Sequence, residues 1–279
     1  MRATGRRNFL LCSIVTLTLM AVSCAGPEQP KVGTPLFHWN AAKQTFAAGD
    51  YDKVNNNLGD VIRTDNEYTA RAMPWRLVLL SGMTKGHSEL ADTWESGANA
   101  NRTNPAPFRT QMNVYRKLGG QLALQFAETL QKFEATHKGQ KVTLEMPFPS
   151  GSAAEIPQLK RVSGGILIPE AESETLEKRV IERAVLRAAC RAVGAPDDAA
   201  KAQQIFKSEP LQIEWPVFAT ALAYSLCDQA ELFTNERLDR PDRLEYFTKK
   251  ALELLKAVPD SKEVKSLKAR AEKLLKKKR

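Results

Sequence analysis

The chain has 279 residues, of which 43% are hydrophobic and 26% charged. That balance excludes wholesale disorder and suits one extended domain or two small ones. The net charge of +9 is a property of the ends: Arg2, Arg6 and Arg7 lie at the start, and residues 262–279 hold nine Lys/Arg against Glu263 and Glu272, so the remaining body carries −1. A neutral body argues against nucleic acid as a partner and turns attention to what a basic terminal helix meets, whether an acidic envelope polymer, anionic lipid or only water.

At the N-terminus, three arginines precede an apolar run from Phe9 to Val22, too short for a comfortable membrane span and followed by the small residues around Cys24. Residues 1–23 read as a secretion signal. Ala21-Val22-Ser23-Cys24 resembles a bacterial lipobox, which implies lipidation at Cys24 and tethering in the cell envelope. Ala25, uncharged, resembles the sorting pattern for the periplasmic face of the outer membrane. Arg6-Arg7-Asn8-Phe9-Leu10 resembles a twin-arginine export motif, although the same arginines serve equally as the positive region of a general signal. Residues 24–35, rich in Pro and Gly, read as a flexible tether.

The first folded stretch is a helical hairpin. Leu36, Trp39, Ala42 and Phe46 form one stripe and Tyr51, Val54, Leu58, Val61 and Ile62 a second. Gly49 between them suits a left-handed helix exit, and Asp50 suits the N-cap of the next helix. Neither stripe can be buried by the other alone. With Ala42 before the turn glycine and Tyr51, Val54, Leu58 and Val61 after it, the hairpin resembles a tetratricopeptide (TPR) repeat. The resemblance implies an all-α fold, a TPR-like α-solenoid of helical hairpins.

Residues 36–138 then divide into further hairpins. Trp75, Gly86, Ala91 and Ala98 place a second, worn repeat with its turn at Gly86, close to the family period of about 34 residues after Gly49. Residues 99–107 read as a loop. Phe108–Leu118 and Gln121–His137 form a third pair about Gly119-Gly120.

Residues 139–169 interrupt the helices. Val142, Leu144, Met146 and Phe148 alternate as a half-buried strand does, and 159–162 and 165–168 read as two more extended pieces, giving a small β-like insertion that is either a seam cover or a binding ribbon. Residues 170–279 resume the helices: one from Pro169 to about Val193, a turn at Gly194, Ala199–Phe206, Trp215–Phe233, and Leu244–Val258 ending at Pro259. A last helix, capped by Asp260 with Glu263 three residues on, carries the stripe Val264, Leu267, Ala271, Leu274 and Leu275 under a coat of lysine.

The sequence offers no phosphate-binding glycine loop, nucleophile elbow, redox cysteine motif or metal-ligand spacing, so neither an enzyme nor a cofactor is expected. His38, His87 and His137 are isolated and read as surface or turn residues. Cys190 and Cys227 lie about one repeat apart, which leaves a disulfide and two buried free thiols as alternatives. Two functions fit these features: a lipid-anchored scaffold that binds a protein partner in the envelope, and a small-molecule binder resembling transporter-associated TPR lipoproteins, with Trp39, Trp75, Trp94 and Trp215 near its ligand. A third, an envelope hydrolase, requires a clustered acid pair in the folded chain.

Overall fold

A computed structural model describes residues 30–152, 154–208 and 211–277. The expected secretion signal, the lipobox-like motif and Cys24 lie outside the described residues. The described chain is predominantly helical, with ten helices and one two-stranded sheet. None of these helices is long and apolar enough to cross a membrane.

The first hairpin forms as its local signals dictate. In α1 (Pro35–Ala47), Pro35 occupies the first turn and the Thr34 hydroxyl accepts from the Phe37 amide at 3.3 Å. Gly49 then turns the chain at φ +71°, a conformation that glycine adopts most readily. Asp50 accepts from the Lys53 amide at 3.2 Å and starts α2 (Tyr51–Val61). Trp39 and Phe46 meet Trp75 edge to face, with centroids 5.4 and 5.6 Å apart, so the hairpin's apolar face is closed by the helix that follows.

That helix, α3 (Thr69–Ala100), is the hub of the molecule. It pairs with α4 (Ala106–Thr136) in antiparallel fashion: Arg76 near its start donates to Thr129 at 3.1 Å, while Trp94 near its end packs on Phe108. Arg76 also donates to Asn55 at 3.0 Å, and Asn55 donates to Gln125 at 2.8 Å. This polar seam fixes the register of α2 against the central pair, because slipping it would leave partly buried donors and acceptors unmatched.

Both internal turns expected in this region are absent. Gly86 lies within α3, and Gly119-Gly120 within α4. They mark close approaches between helices. A Cβ at Gly86 would sit 3.1 Å from the Ile181 Cα, and one at Gly82 only 2.5 Å from the Val185 Cα. Both neighbours belong to α6 (Glu170–Ala192). A Cβ at Gly120 would meet Leu238 at 2.8 Å. The missing side chains are grooves for helix packing, so the middle of the chain is two long helices where two short hairpins were expected.

The insertion also differs from expectation. The predicted alternation is real in burial, with Val142, Leu144 and Met146 inside, and β1 (Lys141–Thr143) begins it. Its partner, however, is β2 (Gln212–Glu214) from the C-terminal half, antiparallel with Val142 opposite Ile213. Residues 159–162 are helical within α5 (Pro157–Ser163), where Val162 closes a small core with Leu90, Trp94, Phe108 and Leu176.

The C-terminal helices are α7 (Ala199–Ile205), α8 (Trp215–Leu232), α9 (Pro241–Lys256) and α10 (Lys262–Lys276). Helix α8 packs on α3 and α4 and is covered in turn by α9 and α10. The cap of α10 is Ser261, whose hydroxyl accepts from the Val264 amide at 3.1 Å. Asp260, expected in that role, instead accepts from Lys268 at 2.9 Å.

Cys190 and Cys227 are buried free thiols, with no bridge between them. They sit in different surroundings: Cys190 lies near Asp198 and Arg191, and Cys227 near Arg270, Asp228 and Glu231. Burial raises both thiol pKa values, that of Cys227 to about 12, so both stay protonated and behave as small hydrophobes.

Candidate functional site

The turn at Gly49 opens onto a cleft of about 480 Å³ between the start of α2 and the first half of α6. Its position follows from three local events. Gly49 aims α2 back along α1, Asp50 caps α2 at the rim, and the absence of a Cβ at Gly49 lets Glu182 of α6 approach, 3.2 Å from where that atom would be. Met83 of α3 and Ile181 of α6 form an apolar part of the lining.

The charged lining is predominantly acidic. Asp50, Asp52, Glu174 and Glu177 face a single lysine, Lys178, which lies 4.0 Å from Glu182. Asp50 is held by Lys53 at 2.7 Å, and this hydrogen-bonded pair lowers its pKa. Asp52 and Glu177 behave in the opposite way. Burial, then the charge of Asp50, raises the pKa of Asp52. Burial raises that of Glu177, with Asp52 and Glu174 adding to the shift and a hydrogen bond from Tyr115 opposing it. The Tyr115 hydroxyl, on α4, donates to Glu177 Oε2 at 3.1 Å. Tyr51, 5% exposed, has a hydroxyl with no hydrogen-bond partner, and burial beside Glu182 raises its pKa to about 12.

This arrangement favours positive charge on chemical grounds. Two carboxyl groups that hold their protons more tightly than in water gain from a cation that neutralises them, since charge so placed is poorly solvated. The lining includes no His, Ser or Cys that would act as a nucleophile.

Behind the cleft, His87 stacks on Tyr115 with centroids 5.9 Å apart. It is buried, against the expectation of a surface or turn position, and burial pushes its pKa down to about 4. His38 Nδ1 donates to Asn57 Oδ1 at 3.0 Å, and His137 packs between Phe133 and Trp215. No group of three His, Cys, Asp or Glu residues among the described residues is arranged to hold a metal ion.

A second, larger groove of about 620 Å³ runs along the strand-like segment after β1, lined by Lys43, Leu144, Met146, Phe148, Phe206 and their neighbours. Tryptophan contributes nothing to it: Trp39, Trp75 and Trp94 are core residues at 3%, 0% and 2% exposure.

Sequence reading did not single out Asp52, Glu177 or Tyr115. They come from α2, α6 and α4, and nothing local distinguishes these two acids among 32 Asp and Glu. The one usable signal was Asp50, whose capping role places the rim. No family model matches the chain, and no curated protein or solved structure is similar to it at a significant level.

Proposed function

We propose that the chain is a lipid-anchored cell-envelope protein acting as a protein–protein interaction scaffold, and that the cleft between α2 and α6 receives a cationic side chain of its partner polypeptide. One observation carries this reading: four carboxylates line a concavity whose single lysine leans toward Glu182. A Lys or Arg entering the cleft would neutralise Asp52 and Glu177 where water does so poorly, and opposite charge at close range also favours the correct partner over others. The anchor in this proposal is Cys24 in its lipobox-like setting. The TPR-like part is the α1–α2 hairpin, whose turn frames the cleft.

Crosslinking in the native envelope, followed by identification of the captured protein, tests the proposal when repeated with Asp52→Asn and Glu177→Gln combined. Capture should fall sharply while the melting temperature holds or rises. Undiminished capture by the double variant would remove the cleft from the proposal.

The groove along residues 144–148 favours a second reading, a binder of a small molecule with an apolar body, because its volume lies in the range of metabolite sites. A ligand screen by thermal shift separates the two. A bound metabolite raises the melting temperature, and a missing protein partner leaves it unchanged.

A further inference from the structure

Helix α10 spends most of its apolar residues on the fold. Val264, Leu267, Ala271 and Leu274 are buried in the core formed with α8 and α9. At 3.6 residues per turn, the opposite side is an arc of about 120° that contains Lys262, Lys265, Lys273, Lys276 and Lys277 with Ser266 and Ala269, and no acid. The two acids of the helix, Glu263 and Glu272, fall outside the arc on either flank. All seven residues of the arc are exposed.

Lys277 lies 3.8 Å from Glu236, but Lys262, Lys265, Lys273 and Lys276 make no ion pair among the described residues. From Lys262 to Lys276 the row spans about 21 Å at 1.5 Å per residue. In sequence, Lys278 and Arg279 extend it.

We infer that this arc docks the protein on an anionic lipid surface. The features of the row select that partner over other polyanions. Its described charges are all lysine ammonium groups, point charges that suit a diffuse field; the planar forks of arginine, which grip phosphates in pairs, are absent from it. The helix has no aromatic residue on which bases would stack. The face is the exposed side of a single helix, open along Lys262, Lys265 and Lys276, while Lys273 and Lys277 also border a groove of about 340 Å³ that holds Glu231 and Glu236. Because the apolar stripe is already buried, the helix lies on the surface without inserting, and its binding is electrostatic and sensitive to salt. The inference rests on charge alone and holds whether or not Cys24 is acylated.

The test uses the chain from residue 24 onward with Cys24→Ser, which contains every described element and no acyl chain. It is sedimented with vesicles of phosphatidylcholine containing phosphatidylglycerol, and with vesicles of phosphatidylcholine alone. Binding should occur only to the first and weaken with added salt. Each lysine near such a surface is worth about fivefold in affinity, so replacing Lys262, Lys265, Lys273 and Lys276 together by Gln should weaken binding by several hundredfold. These residues are exposed, so the melting temperature should be unchanged, and Asp52→Asn with Glu177→Gln should leave vesicle binding intact. Equal binding to neutral vesicles, or full binding by the four-lysine variant, would overturn the inference. So would binding to heparin or RNA without binding to the anionic vesicles, an outcome that assigns the arc to a polymer.

Discussion

The α1–α2 hairpin and the α3–α4 pair use glycine for opposite ends. Gly49 provides a backbone angle, φ +71°, that lets the chain reverse. Gly82, Gly86 and Gly120 provide the space left by a missing side chain, so that α6, or the segment after α8, can lie against a continuous helix. At Gly97 of α3 the space is filled by the Val162 carbonyl and Phe108. In the outer hairpin a glycine ends a helix, and in the centre it permits helix to touch helix. The stability of the first region is therefore set by local backbone chemistry, and that of the second by packing between distant segments.

Substitutions should separate these two roles. The largest effect is expected at Gly82→Ala, where the added carbon would lie 2.5 Å from the Val185 backbone and α3 and α6 must move apart. The net loss should be about 3 kcal/mol in urea unfolding, even though alanine favours helix. A gain in stability would mean that Gly82 is not at a helix crossing.

The next effect tests the centre by pH. The His87 pKa falls from 6.5 to about 4 on folding, so between those values the unfolded chain binds the proton and the folded chain does not. Stability should accordingly drop as pH falls from 6.5 toward 4, by roughly 2–3 kcal/mol. His87→Phe, which retains a ring against Tyr115, should flatten this limb of the profile in unfolding curves measured across the range. Asp52 and Glu177 act with the opposite sign. Their raised pKa values cost stability as pH rises through the interval above the ordinary carboxylate range, so Asp52→Asn should stabilise modestly at pH 7.

Smaller effects belong to the outer hairpins. Gly49→Ala should cost about 1–2 kcal/mol, and Gly49→Asn less, because asparagine tolerates the left-handed region. The same Asn at Gly82 should give no such relief, and a melting series of the four variants makes the contrast direct. Smallest of all, Ser261→Ala should cost about 1 kcal/mol through loss of the α10 cap, while Asp260→Ala, which breaks only an exposed pair with Lys268, should leave stability nearly unchanged.

Much of the chain was readable residue by residue. The stripe Trp39, Ala42 and Phe46, the exit at Gly49, the cap at Asp50, the helix begun after Pro169 and the buried face of α10 all depend on neighbours within four positions, and all stand in the fold. Gly86 and Gly119-Gly120 misled because a helix interior tolerates glycine at a cost of about 1 kcal/mol, which burial against another helix readily offsets. Their local sequence is the same in a turn and at a crossing. The small sheet was half visible: the alternation from Val142 is local, but its partner Ile213 lies some seventy residues on. The cleft was hidden for the same reason, since Asp52, Tyr115 and Glu177 each sit on helices that read as ordinary amphipathic surfaces.

The sequence by itself determined an all-α chain, the apolar faces of most of its helices, and the concentration of positive charge at its C-terminal end, because periodicity, capping and charge act over a single turn. Only the tertiary structure decided which glycines turn and which make room, that α3 is the hub, and that the carboxylates of α2 and α6 share one cleft, one of them held from behind by a tyrosine of α4. Those outcomes depend on which buried surfaces meet, and apolar contact has no direction or address that a short stretch of sequence can record.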